Sequence, residues 1–129
     1  MPRIPPTVAA FVSAHVRTLD ELQLLMAIVQ SPDRWWDAET AARELGMPVA
    51  EARAALDHFG AHNLLDIKIS GNLRYQFSPG TAELREAANA AAEAYRRWPL
   101  DVAKVVAPTA PRSITDFADA FRIRRDDDR

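Results

Sequence analysis

Residues 65–78 constrain this chain more than any other stretch. Leu65, Ile67 and Ile69 alternate with Asp66, Lys68 and Ser70, and Leu73, Tyr75 and Phe77 alternate with Arg74, Gln76 and Ser78. A period of two puts each apolar set on one side of a half-buried strand. The connection follows from the pairing. A two-residue loop would set Ser70 against Leu73, polar beside apolar on one face. A three-residue loop, Ser70-Gly71-Asn72, pairs Ile69 with Leu73, Ile67 with Tyr75 and Leu65 with Phe77, apolar in every case. Asn72 is expected at the left-handed position of that loop. The same register sets Lys68 opposite Arg74 on the outer face, and like charges so placed are mildly destabilising. Either the two side chains splay into water, or an anion sits between them, such as a backbone phosphate or an acidic partner.

The rest of the chain reads as helix. Val8, Phe11, Val12 and Val16 recur at helical spacing, so residues 7–17 form a short helix. Thr18 followed three residues later by Glu21 is a capping box opening a helix from Leu19 to Gln30. Its buried face is expected to be Leu22, Leu25, Met26 and Val29, and Ser31-Pro32-Asp33 stops it. Arg34-Trp35-Trp36 is a brief strand, with one Trp buried and the other partly exposed and able to stack on a ligand or base. Asp37 caps a helix from Ala38 to Leu45. Gly46-Met47 makes a turn, and Pro48 is the expected first residue of a helix that runs to Ala61. Asn63 ends it in the left-handed conformation. Gly60 should weaken its last turn by roughly 1 kcal/mol.

Thr81 caps an Ala-rich helix over residues 81–98. Its stripe of Leu84, Ala88, Ala91, Tyr95, Trp98, Val102 and Val105 alternates steps of four and three. Pro99 should kink it. The seam is either core against residues 7–17 or a dimer interface, and the dimer is the favoured expectation. Pro108 to Pro111 is a stiff linker. Beyond it, Ile114, Phe117 and Phe121 make an apolar stripe that must dock within the assembly or on a foreign protein, so residues 113–125 are a candidate partner-binding segment. The expected organisation is an arm and short helix (1–17), a central domain (18–78), a long helix (79–107), and a linker with an amphipathic tail helix (108–129).

Composition narrows the chemistry. The 129 residues carry no cysteine, which removes disulfides, thiol nucleophiles and thiolate metal sites. His58 and His62 have a metal-ligand spacing, but no third ligand is apparent, so they read as an ordinary surface pair and no metal is expected. His15 is expected to have no role. No nucleophile–base constellation or Gly-rich phosphate loop appears, so the chain is not expected to be an enzyme or to hold a cofactor. No apolar run nears the roughly 20 residues a membrane helix needs. The first residues lack a signal-peptide pattern, and the cytoplasm is the expected location.

The expected class is mainly α with a small β-hairpin. At Asp37-Ala-Glu-Thr-Ala-Ala-Arg-Glu-Leu-Gly46-Met-Pro-Val-Ala-Glu-Ala-Arg-Ala-Ala-Leu56, followed by the hairpin, the sequence resembles the bacterial winged helix-turn-helix proteins, broadly MarR-like in layout, over about residues 18–77. Ala41, Leu45, Met47, Ala52 and Ala55 fill the positions where two such helices cross. The resemblance implies a winged helix-turn-helix with a C-terminal helical extension, acting as a homodimeric regulator on double-stranded DNA. The helix from Pro48 to Ala61 would read the groove, with Ala50, Glu51, Arg53, Ala54, Asp57 and His58 outward. The implied DNA contacts are Arg43 (phosphate), Ala50, Arg53 (base edges), Lys68, Asn72 and Arg74. The charge balance speaks differently. Residues 37–78 carry four basic and six acidic side chains, and the whole chain has a net charge of −2, where a nucleic-acid binder usually has a basic footprint. A protein–protein adaptor that does not touch DNA is the alternative.

Overall fold

Three side chains set where helices begin. Thr18 accepts a hydrogen bond from the Glu21 N–H at 3.0 Å and opens one helix. Asp37 accepts from the Thr40 N–H at 2.7 Å and opens a second. Thr81 accepts from the Leu84 N–H at 3.1 Å and opens a third. Each satisfies an N–H that a helix terminus otherwise leaves bare. The reciprocal half of the capping box forms differently from expectation: the Glu21 carboxylate takes the Arg17 N–H and guanidinium rather than the Thr18 N–H.

A computed structural model describes residues 4–107. In chain order it contains α1 (Pro6–His15), α2 (Leu19–Gln30), β1 (Trp35–Trp36), α3 (Ala38–Leu45), α4 (Val49–Ala61), β2 (Leu65–Ser70), β3 (Asn72–Phe77), α5 (Ala82–Arg97) and α6 (Pro99–Val106). The described residues are thus mostly helical, with one small antiparallel sheet of order β1-β3-β2. Among them no helix is long and apolar enough to cross a membrane.

The core forms around α2. Leu24 and Ile28 are buried along with the expected Leu22, Leu25, Met26 and Val29. Both sides of α2 are covered, by α5 and α6 and by α3 and α4. A helix enclosed this way must be apolar nearly all round. Gly46 ends α3 in the left-handed conformation at φ 70°, where a side chain is disfavoured. The Met47 N–H then bonds back to the Ala42 carbonyl at 3.1 Å, which turns the chain into α4. Pro48 is the N-cap of α4 rather than its first helical residue, because its ψ of 145° is extended.

The hairpin has the expected register: Leu65 pairs with Phe77, Ile67 with Tyr75, Lys68 with Arg74 and Ile69 with Leu73. Two expectations about it fail. Gly71, not Asn72, takes the left-handed backbone (φ 82°), because pairing continues to Ser70 and Asn72 and leaves the residue without a Cβ at the tip. The apolar face is also buried unevenly. On the central strand β3, Tyr75 and Phe77 are in the core and Leu73 packs against it, whereas on the edge strand β2 only Leu65 is buried and Ile67 is 49% and Ile69 81% exposed.

The α5 seam is also corrected. Trp98 has non-helical dihedrals (φ −139°, ψ 65°) and separates α5 from α6, so Pro99 starts a new helix instead of kinking one. Ala88, Ala91 and Val102, expected at a dimer interface, are fully buried in the chain's own core, where α1 packs on α5 and α6. The alanines permit that close approach. Leu84, Tyr95 and Trp98 are half-buried at its margin. Phe117, Phe121 and the rest of residues 113–125 lie outside the described residues.

Candidate functional site

The α4 sequence alternates what it buries and what it shows. Ala52, Ala55, Leu56 and Phe59 face the core, leaving Ala50, Glu51, Arg53, Ala54 and Asp57 exposed. Arg53 points into an open cleft of about 350 Å³. Its other walls are Asp37, Ala38 and Glu39 at the start of α3, and Gly71, Asn72 and Leu73 at the hairpin tip. Arg53 and Asn72 therefore line one place, although the sequence separates them by about two turns of helix, a loop and a strand.

Two carboxylates, Asp37 and Glu39, line that cleft with Arg53. The Thr40 backbone N–H, and then its hydroxyl, hold the Asp37 carboxyl below the usual carboxylate range, and Arg43 and Arg74 lower it further through their charge. All six side chains expected to contact DNA are exposed: Arg43, Ala50, Arg53, Lys68, Asn72 and Arg74. Among the described residues, Arg43, Arg53, Lys68 and Arg74 make no salt bridge. On the outer sheet face Lys68 lies opposite Arg74, and its Nζ is 5.7 Å from the centroid of the Trp35 ring. This is cation–π range at an exposed site. Trp36 alternates inward and is buried; its Nε1–H has no partner, and the Arg34 guanidinium sits 3.8 Å from its ring centroid. Arg34 also pairs with Glu44, which ties the entry of β1 to the end of α3.

Asp57 does not stand free on α4. It accepts the Tyr75 hydroxyl at 2.5 Å. Below it lies a grouping the sequence reading missed. His58 and His62 are not an ordinary surface pair, because the end of α1 brings His15 onto them. The Nδ1 atoms of His15 and His62 are 2.8 Å apart, and His58 Nε2–H donates to the His15 carbonyl at 2.9 Å. The His58 and His62 ring centroids are 4.1 Å apart. Among the described residues no group of three His, Cys, Asp or Glu side chains is arranged to hold a metal ion. The available signal was weak: His15 is the last residue of α1, and nothing local says where that end docks.

No protein-family model matches the chain, and no curated protein or solved structure matches it either.

Proposed function

We propose that the chain is a winged helix-turn-helix regulator that binds double-stranded DNA. In this reading α3 and α4 are the helix-turn-helix pair, α4 enters the major groove, and the β2–β3 hairpin is the wing. The observation that carries it is the shared cleft, in which Arg53 of α4 and Asn72 of the hairpin tip converge. A groove about 12 Å wide admits a helix such as α4, and Arg53 is the side chain on it suited to bidentate contact with guanine. Arg43, Lys68 and Arg74 supply phosphate contacts from α3 and the wing.

Fluorescence anisotropy with duplex from upstream of the coding region tests this at two salt concentrations. Affinity is expected to fall steeply with salt. Arg53→Ala should weaken binding by about 1–3 kcal/mol. Lys68→Ala should weaken it less and shrink the salt slope by about one unit. Absence of salt-sensitive binding, or unchanged affinity in both variants, overturns the reading. Asp57 neighbours Arg53 one turn along α4, and Glu51 is exposed at the other margin of that helix, which favours a second reading, a protein–protein adaptor. That reading expects negligible DNA affinity and loss of a co-purifying partner in the Phe117→Ala, Phe121→Ala double variant.

A further inference from the structure

β2 is the edge of the sheet, since the strand order is β1-β3-β2. Its outer edge presents backbone N–H and C=O groups that β3 does not use, and an exposed apolar edge is a template for another strand. Its residues from Asp66 to Ser70 are all exposed, with Ile69 81% and Ile67 49% open. The sequence of this edge, Leu65-Asp66-Ile67-Lys68-Ile69, reads as apolar, acid, apolar, base, apolar about Ile67.

We infer that β2 pairs antiparallel with β2 of a second copy of this chain, across a two-fold axis at Ile67, to make one six-stranded sheet. Register selects this arrangement. With the axis at Ile67, Asp66 faces Lys68 of the second copy and the reverse, while Ile67 meets Ile67 and Leu65 meets Ile69. Every pair on the inner face is apolar, and both pairs on the outer face are of opposite charge. Moving the axis to Lys68 sets lysine against lysine, and moving it to Asp66 sets aspartate against aspartate. Placing it between two residues sets apolar against polar throughout. In the Ile67 register, residues of like parity meet, so outward N–H and C=O groups face their counterparts.

The pairing accounts for two features that the single chain leaves open. Ile69 overhangs its own body, and the two-fold carries it alongside Leu65 at the base of the second copy's hairpin, where the helices begin to cover the sheet. Lys68 lies opposite Arg74 within the chain. On its other side the second copy supplies the carboxylate of Asp66, an anion beside Lys68 and two strand spacings from Arg74. A two-fold contact of this kind uses the same patch on both subunits, as closed dimers require. The contact goes beyond DNA recognition and does not rest on it.

Sedimentation of the full-length chain across a concentration series tests the pairing, with helical content by circular dichroism as the folding control. The wild type is expected to dimerise reversibly. Lys68→Asp sets carboxylates against each other in both outer pairs and should weaken the dimer by roughly tenfold or more. The double variant Asp66→Lys, Lys68→Asp restores opposite charges in the same register and should recover the wild-type constant to within about threefold. Ile69→Lys, at an exposed position that folding does not need, should also weaken it. A monomer at every concentration overturns the inference, even if the edge then binds DNA or another protein. So does a dimer indifferent to both Lys68→Asp and Ile69→Lys, or a charge-swapped double variant as weak as Lys68→Asp alone.

Discussion

Asp57 and Tyr75 show how one side-chain contact fixes a candidate binding face. Tyr75 is 1% exposed, and its hydroxyl reaches out of the core to the Asp57 carboxylate. Burial first, and then this hydrogen bond, push the phenol up to about 12, so it remains a donor at any physiological pH. The carboxylate is thereby tied to the sheet instead of sweeping the surface beside Arg53. Tyr75→Phe keeps the ring packing and removes only this bond. Because Asp57 is exposed and can turn to water, the expected cost is about 1 kcal/mol in the denaturant midpoint at constant slope. A loss several times larger would mean that Asp57 is sealed off once its donor is removed. The pair was not legible beforehand: alternation puts Tyr75 inward, but says nothing of which helix residue its hydroxyl meets.

Among elements, the junction of the hairpin with its flanking helices is the most constrained. Asn63 closes α4 at φ 66°, and the Leu64 N–H then bonds the Phe59 carbonyl at 3.1 Å. The Gly80 N–H bonds the Asn63 carbonyl at 3.0 Å, and the Ser78 N–H the Leu64 carbonyl at 2.9 Å, so the exit of the hairpin is tied to the two residues at its entry. A Cβ on Gly80 would lie 2.0 Å from Asn63 Nδ2, which leaves the Asn63 side chain no room beside a larger residue. Asn63→Ala should cost about 1 kcal/mol of melting stability through the left-handed backbone, whereas Asn63→Gly should not. Equal effects of the two changes would place the role of Asn63 in its side chain instead. This junction was half legible. Asn at the end of an amphipathic run announces a left-handed cap, but the hydrogen bond from Gly80 joins residues whose proximity depends on the hairpin closing. Gly60 is similar: its helix position was evident, yet its use was not. A Cβ there would lie 3.0 Å from Ile67 Cδ1, so the glycine lets the hairpin approach α4.

Across the whole molecule, the histidines join its first helix to the proposed recognition helix. Burial, then the neighbouring imidazoles of His62 and His58, lower the His15 pKa below 6.5. Burial, then His58 and Arg17, lower that of His62, with Glu21 opposing. Since both folded values lie below the unfolded one, the unfolded chain takes up protons first, and stability falls as pH drops through 6.5 toward the folded values. Glu21 acts in a lower window. Burial would raise its carboxyl, but hydrogen bonds from the Arg17 side chain and N–H outweigh it, so its contribution is present above 4.5 and lost below. The urea midpoint is therefore expected to drop between about pH 7.5 and 5.5, and His15→Gln with His62→Gln should flatten that drop. A midpoint that is level across this range, or a slope unchanged in the double variant, would remove the histidines from the account.

Features that depend on neighbours along the chain were legible from the residues. The caps at Thr18, Asp37 and Thr81, the stop at Gly46 and the hairpin register are set by residues a few positions apart, and so is the inward turn of one tryptophan. Packing between distant elements set which apolar stripe meets which. It gave both faces of α2 to the core and closed Ala88, Ala91 and Val102 onto α1 and α2. It also left Ile69 largely uncovered and Ile67 half-covered, and brought His15 to His58 and His62. Burial is a relation between elements, and the apolar pattern of one element states only that it needs a partner.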